Sequence, residues 1–337
     1  MRSVKSYACF GPGQELEPFE FEIPKPKGTQ VVVRVKYCGI CYSDVAMIDN
    51  EWGISSYPLV PGHEVIGEVV QLGPKVTQLK VGDTVGVGWY SASCGTCHEC
   101  GEEEQQLCAS TESTIVRRHG GFAERLLCEE TWAVKIPKSL QTPETAPLFC
   151  GGITVFDPIL INKIEAHHKV AVVGFGGLGH LAIQFLHHWG CDVTVFSRAH
   201  SKSEDASKFG ADELVETHNT EELLQHTREF DLILVTSYAD LEWPLYLNAL
   251  RPKGTIHIVG AVPNPIPVPA FSLISGQKSI AGSALGSPKT VKKMLNFSAK
   301  HKVAAQIERF KMSEVNQAIT RLRKGDVRYR VVLDADF

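Results

Sequence analysis

Hydrophobic and polar positions divide the chain into two textures. Over residues 1–140 the apolar residues fall in short runs. Val31–Val35 reads VVVRV, and Val65–Leu72 and Val81–Val87 are further apolar stretches cut by Gly, Pro and Asp. β-branched runs punctuated in this way predict a β-rich region with several turns. Over residues 169–283 the pattern changes. Short apolar segments, KVAVVG (169–174), DVTVFS (192–197), DLILVT (231–236), GTIHIVG (254–260) and KSIAGS (278–283), alternate with helical patterns around 178–189, 202–209, 220–227 and 241–250. Alternating strand and helix predicts a doubly wound parallel sheet. A helical stretch from about residue 288 to 300 follows, VPNPIPVP (262–269) reads as a loop, and RYRVVLDADF reads as a final strand.

At ~150 residues per domain, 337 residues predict two domains. Lys+Arg 34 against Asp+Glu 38 gives a net charge of −4. With no basic block, that predicts no nucleic-acid partner. No apolar run reaches the ~20 residues of a membrane span, so no membrane partner is expected. The start, MRSVKSYACFGPGQELEPF, has no apolar leader segment and predicts no secretory signal. A reducing, cytoplasmic setting follows as an expectation, and there clustered cysteines read as metal ligands before disulfides.

Ten cysteines are present, four of them within fifteen residues: Cys94-Gly-Thr-Cys97-His-Glu-Cys100, then Cys108. Four thiolates at this spacing can close a tetrahedron around Zn²⁺ and leave no position for substrate. The site reads as structural, holding a lobe without a core of its own. His98 inside the cluster reads as solvated.

Gly174-Phe-Gly176-Gly177-Leu178-Gly179 follows KVAVV and opens a helical pattern, the context a dinucleotide loop requires. Gly174 permits the tight turn, Gly176 lets the backbone approach the diphosphate, and Gly179 allows close helix–sheet packing. The next strand end offers Ser197, Arg198, Ser201 and Lys202. No carboxylate stands there to bind a free ribose, and two cations can bind a 2′-phosphate, so NADP(H) is expected over NAD(H). Asp192 opens that strand and lies at its wrong end.

A third set is dispersed: Cys41 in YCGICYSD, His63 and Glu64 in VPGHE, and Cys150 in APLFCGGIT. Two thiolates, an imidazole and a carboxylate are the ligand set of an open catalytic zinc. Singly, a cysteine reads first as a small buried hydrophobe and a histidine before a strand as a satisfied turn residue.

Together CGICYSD, GHE, the four-cysteine loop, APLFCGGIT, GFGGLGH and the terminal VRYR resemble the zinc-dependent medium-chain alcohol dehydrogenases, most closely their cinnamyl-alcohol-dehydrogenase branch. The similarity runs through nearly the whole chain. It implies an α/β plus β fold. A GroES-like β-rich catalytic domain over 1–149 and 288–337 would hold an inserted Rossmann doubly wound parallel sheet over 150–287. It implies catalytic zinc at Cys41, His63 and Cys150, with Glu64 an exchangeable fourth ligand, and structural zinc at Cys94, Cys97, Cys100 and Cys108. Cys38 matches a residue that is not a ligand. Cys9, Cys128 and Cys191 read as ordinary thiols.

The implied reaction is reversible reduction of apolar or aromatic aldehydes to primary alcohols by hydride from NADPH, with zinc polarising the carbonyl. Ser43 would be the first proton donor and Asp44 would orient His63. Thr154 would support the nicotinamide, with backbone at Val259 and Ala261, and at Leu285, facing its amide. The family implies a homodimer, with 278–283 as the pairing edge strand. Two positions depart from the pattern. Tyr42 and Ala46 stand where relatives usually carry histidines, and Ala46 cannot pass on a proton. Reduction of a conjugated alkene, or a non-enzymatic nucleotide-binding role, are the alternatives. Trp52, Tyr57, Trp89 and Tyr90 are candidates to line an apolar pocket, or for packing.

Overall fold

The computed structural model describes residues 2–198, 202–218 and 220–337. Ser201 lies outside the described residues. The chain divides into two compact units, one formed by residues up to Cys150 and from Gly286 on, the other by Gly151–Leu285.

In the first unit, the VVVRV run lies in an eleven-residue strand, Gln30–Ile40. It pairs on one side with Glu64–Leu72 and on the other with Arg330–Asp334 and Arg125–Glu129, all antiparallel. Thr84–Val87, Val134–Lys135 and Ile307–Lys311 extend the sheet to seven strands. Val31, Val32 and Val33 are all buried, so the start of this strand is covered on both faces, which accounts for the apolar run before the exposed Arg34. Phe122, Leu126, Met47 and Leu333 belong to the same core.

The second unit is a six-stranded parallel sheet. From edge to edge its strands are Glu213–Glu216, Asp192–Ser197, Lys169–Val173, Phe230–Val235, Leu250–Ile258 and Ser279–Gly282, a 3-2-1-4-5-6 order in chain sequence. That order reverses direction at Lys169–Val173, which creates a ligand crevice at the carboxyl ends of the strands. Val170–Val173 are buried, as a central parallel strand covered on both faces requires. The strand Glu213–Glu216 was not expected from the sequence. Of its four residues only Val215 is buried, so it carries little apolar signal. Among the described residues no single helix is long and apolar enough to cross a membrane.

Candidate active site

Strand register gathers the dispersed residues of the first unit. Gly39 stands opposite Glu64, and Ile40 opposite Val331. Cys41 therefore leaves the sheet beside His63 and Glu64 on one side and beside Arg330 on the other. Cys150 arrives from a different direction. Gly86 and Gly88 leave room for Phe149, where an added Cβ would overlap the Phe149 ring or its carbonyl oxygen. The segment Pro143–Phe149 is thereby seated on the sheet, and the next residue is Cys150. The ligand atoms of Cys41, His63, Glu64 and Cys150 all lie within 4.8 Å of one another, and all four residues are buried.

Asp44 holds this arrangement. Its Oδ2 accepts from the Cys41 backbone N–H at 2.9 Å, fixing the start of the helix Tyr42–Asp49. Its Oδ1 accepts from the Gly62 N–H at 2.9 Å and from His63 Nδ1 at 2.8 Å. With Nδ1 so occupied, His63 presents Nε2 to the cluster. Nε2 of His63 and Oε2 of Glu64 are buried with no hydrogen-bond partner among the described residues. Two unpartnered lone-pair donors beside two thiols are what a zinc ion would satisfy, so the residues fit the metal.

Arg330 is buried and donates to the Glu64 carboxylate, and its Nη1 lies 3.9 Å from Cys41 Sγ. Burial pushes the Glu64 carboxyl up to about 7, with the Arg330 charge pulling against it. The Cys41 thiol is held well below its ordinary range, by the hydrogen bond from Cys150 and by Arg330. Gly39 makes room for Glu64, since a Cβ there would overlap the carboxylate. Reading the sequence did not assign roles to Arg330, Gly39 or Gly86. A charged residue opening an otherwise apolar terminal strand was the one available signal.

Ser43 Oγ lies 3.8 Å from Cys41 Sγ. Ala46 is fully buried in the same helix. Tyr42 is exposed, and its hydroxyl donates to the Glu51 carboxylate at 3.0 Å. The four aromatic candidates separate. The Trp89 ring lies 5.0 Å from the His63 ring, and Trp52 packs edge-on against Trp89 at 5.9 Å. Tyr57 instead donates its hydroxyl to the Ile48 carbonyl, and Tyr90 packs on Trp132.

The four-cysteine loop also closes. The sulfurs of Cys94, Cys97, Cys100 and Cys108 lie within 4.8 Å of one another. Backbone N–H groups of Cys97 and Thr96 point at Cys94 Sγ at 3.3 and 3.5 Å. The Thr96 and Cys97 amides lower the Cys94 thiol to about 6. From Cys94 to Ser110 only Cys100 and Cys108 are buried, so the thiol cluster is the core of this lobe. His98 is exposed and outside the cluster. Cys9, Cys128 and Cys191 are buried thiols raised by burial to about 11, 12 and 12.

In the second unit, Gly174 has φ +98°. A Cβ on Gly179 would overlap the Gly174 carbonyl, and one on Gly176 would meet nothing within 4 Å among the described residues. A cavity of ≈ 530 Å³ opens beside the loop, lined in part by Gly174, Gly176, Ser197, Arg198 and Lys202. Lys202 Nζ donates to the Phe175 carbonyl at 3.0 Å, which places the cation at the glycine loop. An open cradle with cations at its rim fits a phosphorylated dinucleotide. Asp240 and Glu242 also line this cavity, carboxylates that the local reading of 197–202 did not take in. Gly177, Leu178, Gly179, Thr154, Val259, Ala261 and Leu285 do not line it. Thr154 Oγ1 donates to the Ala284 carbonyl at 3.2 Å.

The alcohol dehydrogenase GroES-like domain family matches residues 27–138, and the zinc-binding dehydrogenase family matches 177–300. The aldehyde reductase AdhA of Synechocystis sp. is 44% identical over 330 residues, covering 98% of each chain. The chain belongs to the zinc-dependent medium-chain alcohol dehydrogenases. Within that family it sits in the cinnamyl-alcohol-dehydrogenase-like branch. A cinnamyl alcohol dehydrogenase of Sorghum bicolor superposes with a TM-score of 0.94 at 36% identity, covering 99% and 98% of the two chains. The Helicobacter pylori enzyme solved with NADP(H) gives 0.90 at 30% identity over 98% of each. This alcohol dehydrogenase is thus a zinc- and NADP(H)-dependent oxidoreductase of small molecules, with the GroES-like and Rossmann folds expected from its motifs.

Proposed function

We propose that this dehydrogenase reduces apolar and aromatic aldehydes to primary alcohols with NADPH, at a centre formed by Cys41, His63 and Cys150 with Glu64 exchangeable. The carrying observation is the buried Cys41–His63–Glu64–Cys150 cluster with unpartnered donor atoms. When bound, zinc supplies Lewis-acid polarisation of a carbonyl and NADPH supplies the hydride. Asp44 keeps the His63 Nε2 lone pair presented. Arg330 holds Glu64 by one oxygen and helps keep Cys41 as a thiolate. The Ser43 hydroxyl gives its proton to the product oxygen and is reprotonated from water, because Ala46 offers no imidazole to continue the transfer. Trp89 and Trp52 supply an aromatic wall beside His63 suited to flat apolar substrates. In the second unit, Arg198, Ser197 and Lys202 hold the 2′-phosphate, the glycine loop holds the diphosphate, and Thr154, Val259, Ala261 and Leu285 serve the nicotinamide end.

A homodimer is part of this reading. The strand Ser279–Gly282 lies at the sheet edge, and the neighbouring helix Ala270–Ile274 exposes Phe271 and Ile274 at 75% and 67%. All ten cysteines are free, as a cytoplasmic setting would keep them.

The test follows absorbance at 340 nm with zinc-loaded protein and cinnamaldehyde, with NADPH and NADH in parallel. Oxidation of NADPH well above NADH, with cinnamyl alcohol as product, is expected. Silence with both, or a saturated aldehyde as product, overturns the reading.

A further inference from the structure

The second unit buries a polar trio that the proposed chemistry does not use. His257, on the strand Leu250–Ile258, has no solvent exposure. Its Nδ1 lies 2.9 Å from Asn162 Nδ2, and its Nε2 lies 3.0 Å from Ser283 Oγ. Asn162 Nδ2 also donates to the Pro158 carbonyl at 2.7 Å. A carbonyl only accepts, so this nitrogen is the amide NH₂, and its second hydrogen faces His257 Nδ1. Nδ1 must then accept. Burial lowers His257 to about 4, so the neutral ring carries its one proton on Nε2. That proton is donated to Ser283 Oγ. The serine oxygen accepts from the core side, and its own hydrogen is left to donate elsewhere.

Ser283 directly follows the strand Ser279–Gly282, at the carboxyl end of the parallel sheet, the edge where such sheets bind ligands. It is half-buried, and its neighbour Ala284 is tied down by Thr154. The glycine loop, Arg198 and Lys202 belong to the first half of the sheet, whereas Ser283 follows a strand of the second half, the side left for the other half of a bound dinucleotide. There the nicotinamide carboxamide offers a carbonyl acceptor.

We propose that Asn162 and His257 are positioning residues that aim the Ser283 hydroxyl as a hydrogen-bond donor toward the nicotinamide carboxamide of bound NADP(H). This rests on the dinucleotide reading above. Phe in place of His257 removes both hydrogen bonds. Gln keeps an acceptor for Asn162 and a donor for Ser283.

Dissociation constants for NADPH and for adenosine 2′,5′-bisphosphate, which lacks the nicotinamide half, are measured on the zinc-loaded protein. Ser283→Ala and His257→Phe should weaken NADPH about three- to tenfold, the worth of one hydrogen bond, while His257→Gln stays within about twofold of wild type. The bisphosphate should bind all variants equally. Unchanged NADPH binding by Ser283→Ala overturns the proposal, as does parallel loss of the bisphosphate, which would mark general destabilisation. Should His257→Phe fail to fold, Ser283→Ala decides alone. Failure of wild type to bind NADPH would overturn the dinucleotide reading itself, a result distinct from normal binding by both wild type and Ser283→Ala.

Discussion

His63 Nδ1 lies 2.8 Å from Asp44 Oδ1, and neither side chain has any solvent exposure. The carboxylate fixes both the tautomer and the orientation of the imidazole. Replacing Asp44 with Asn keeps the shape and removes the charge. Zinc affinity at the Cys41–His63–Cys150 centre should then fall ~10–100-fold, the usual effect of losing the partner of a metal-ligating histidine. Competition against a chromogenic chelator reads this directly. An unchanged affinity would show that Asp44 serves only the helix start.

Cys97→Ser should cost the four-cysteine lobe its metal. One zinc per chain should remain, and limited proteolysis should open new cuts between residues 94 and 110, where only thiols are buried. NADPH binding should persist, since the glycine loop lies in the other unit. Retention of both zincs would show that three thiols suffice.

Arg198→Ala should lower kcat/KM for NADPH by about tenfold or more, the worth of a charge-assisted hydrogen bond, and leave NADH unaffected. Equal loss for both cofactors would place the guanidinium somewhere other than at the 2′-phosphate.

His257 carries a pH signature. Its pKa falls from the ordinary 6.5 to about 4 on folding, because burial disfavours the charged ring. The unfolded chain therefore binds the extra proton between these values. The stabilisation is complete above pH ~6.5 and is lost progressively as pH falls from there through about 4. Between pH 7 and pH 4.5, wild type should lose roughly 5 °C more in Tm than His257→Gln does. Parallel Tm curves would refute this assignment.

Features encoded in neighbouring residues were readable from the chain. The glycine loop and the four-cysteine cluster each occupy one short segment, so spacing alone carries their chemistry. The parallel sheet was readable because its central strands Lys169–Val173 and Phe230–Val235 are buried along nearly their whole length and therefore mostly apolar. Cys41, His63, Glu64 and Cys150 were legible as a zinc ligand set by residue type and by family resemblance, but their convergence was not. It depends on Gly39 pairing with Glu64 and Ile40 with Val331, registers that no local pattern states. Arg330 and Phe149 belong to the same class, placed by long-range pairing and by the absence of a side chain at Gly86. The His257 trio was invisible because its members are 95 and 26 residues apart. Aromatic residues near the motifs were ambiguous for a similar reason, and only side-chain direction separates Trp89 from Tyr57.

The strand Arg330–Asp334 sits between Ile307–Lys311 and Gln30–Ile40, inside the sheet of the first unit rather than at its margin. During synthesis, Gly151–Leu285 has every strand of its sheet once residue 285 has emerged, whereas the sheet begun by Gln30–Ile40 waits until residue 334 has left the ribosome. The nascent chain must keep one flank of that apolar strand from pairing wrongly through the making of about 300 residues, roughly 15–60 s at 5–20 residues per second. A premature stop before Arg330 would therefore leave an open sheet edge and an uncompensated Glu64, a product destined for aggregation or degradation rather than for a weaker enzyme.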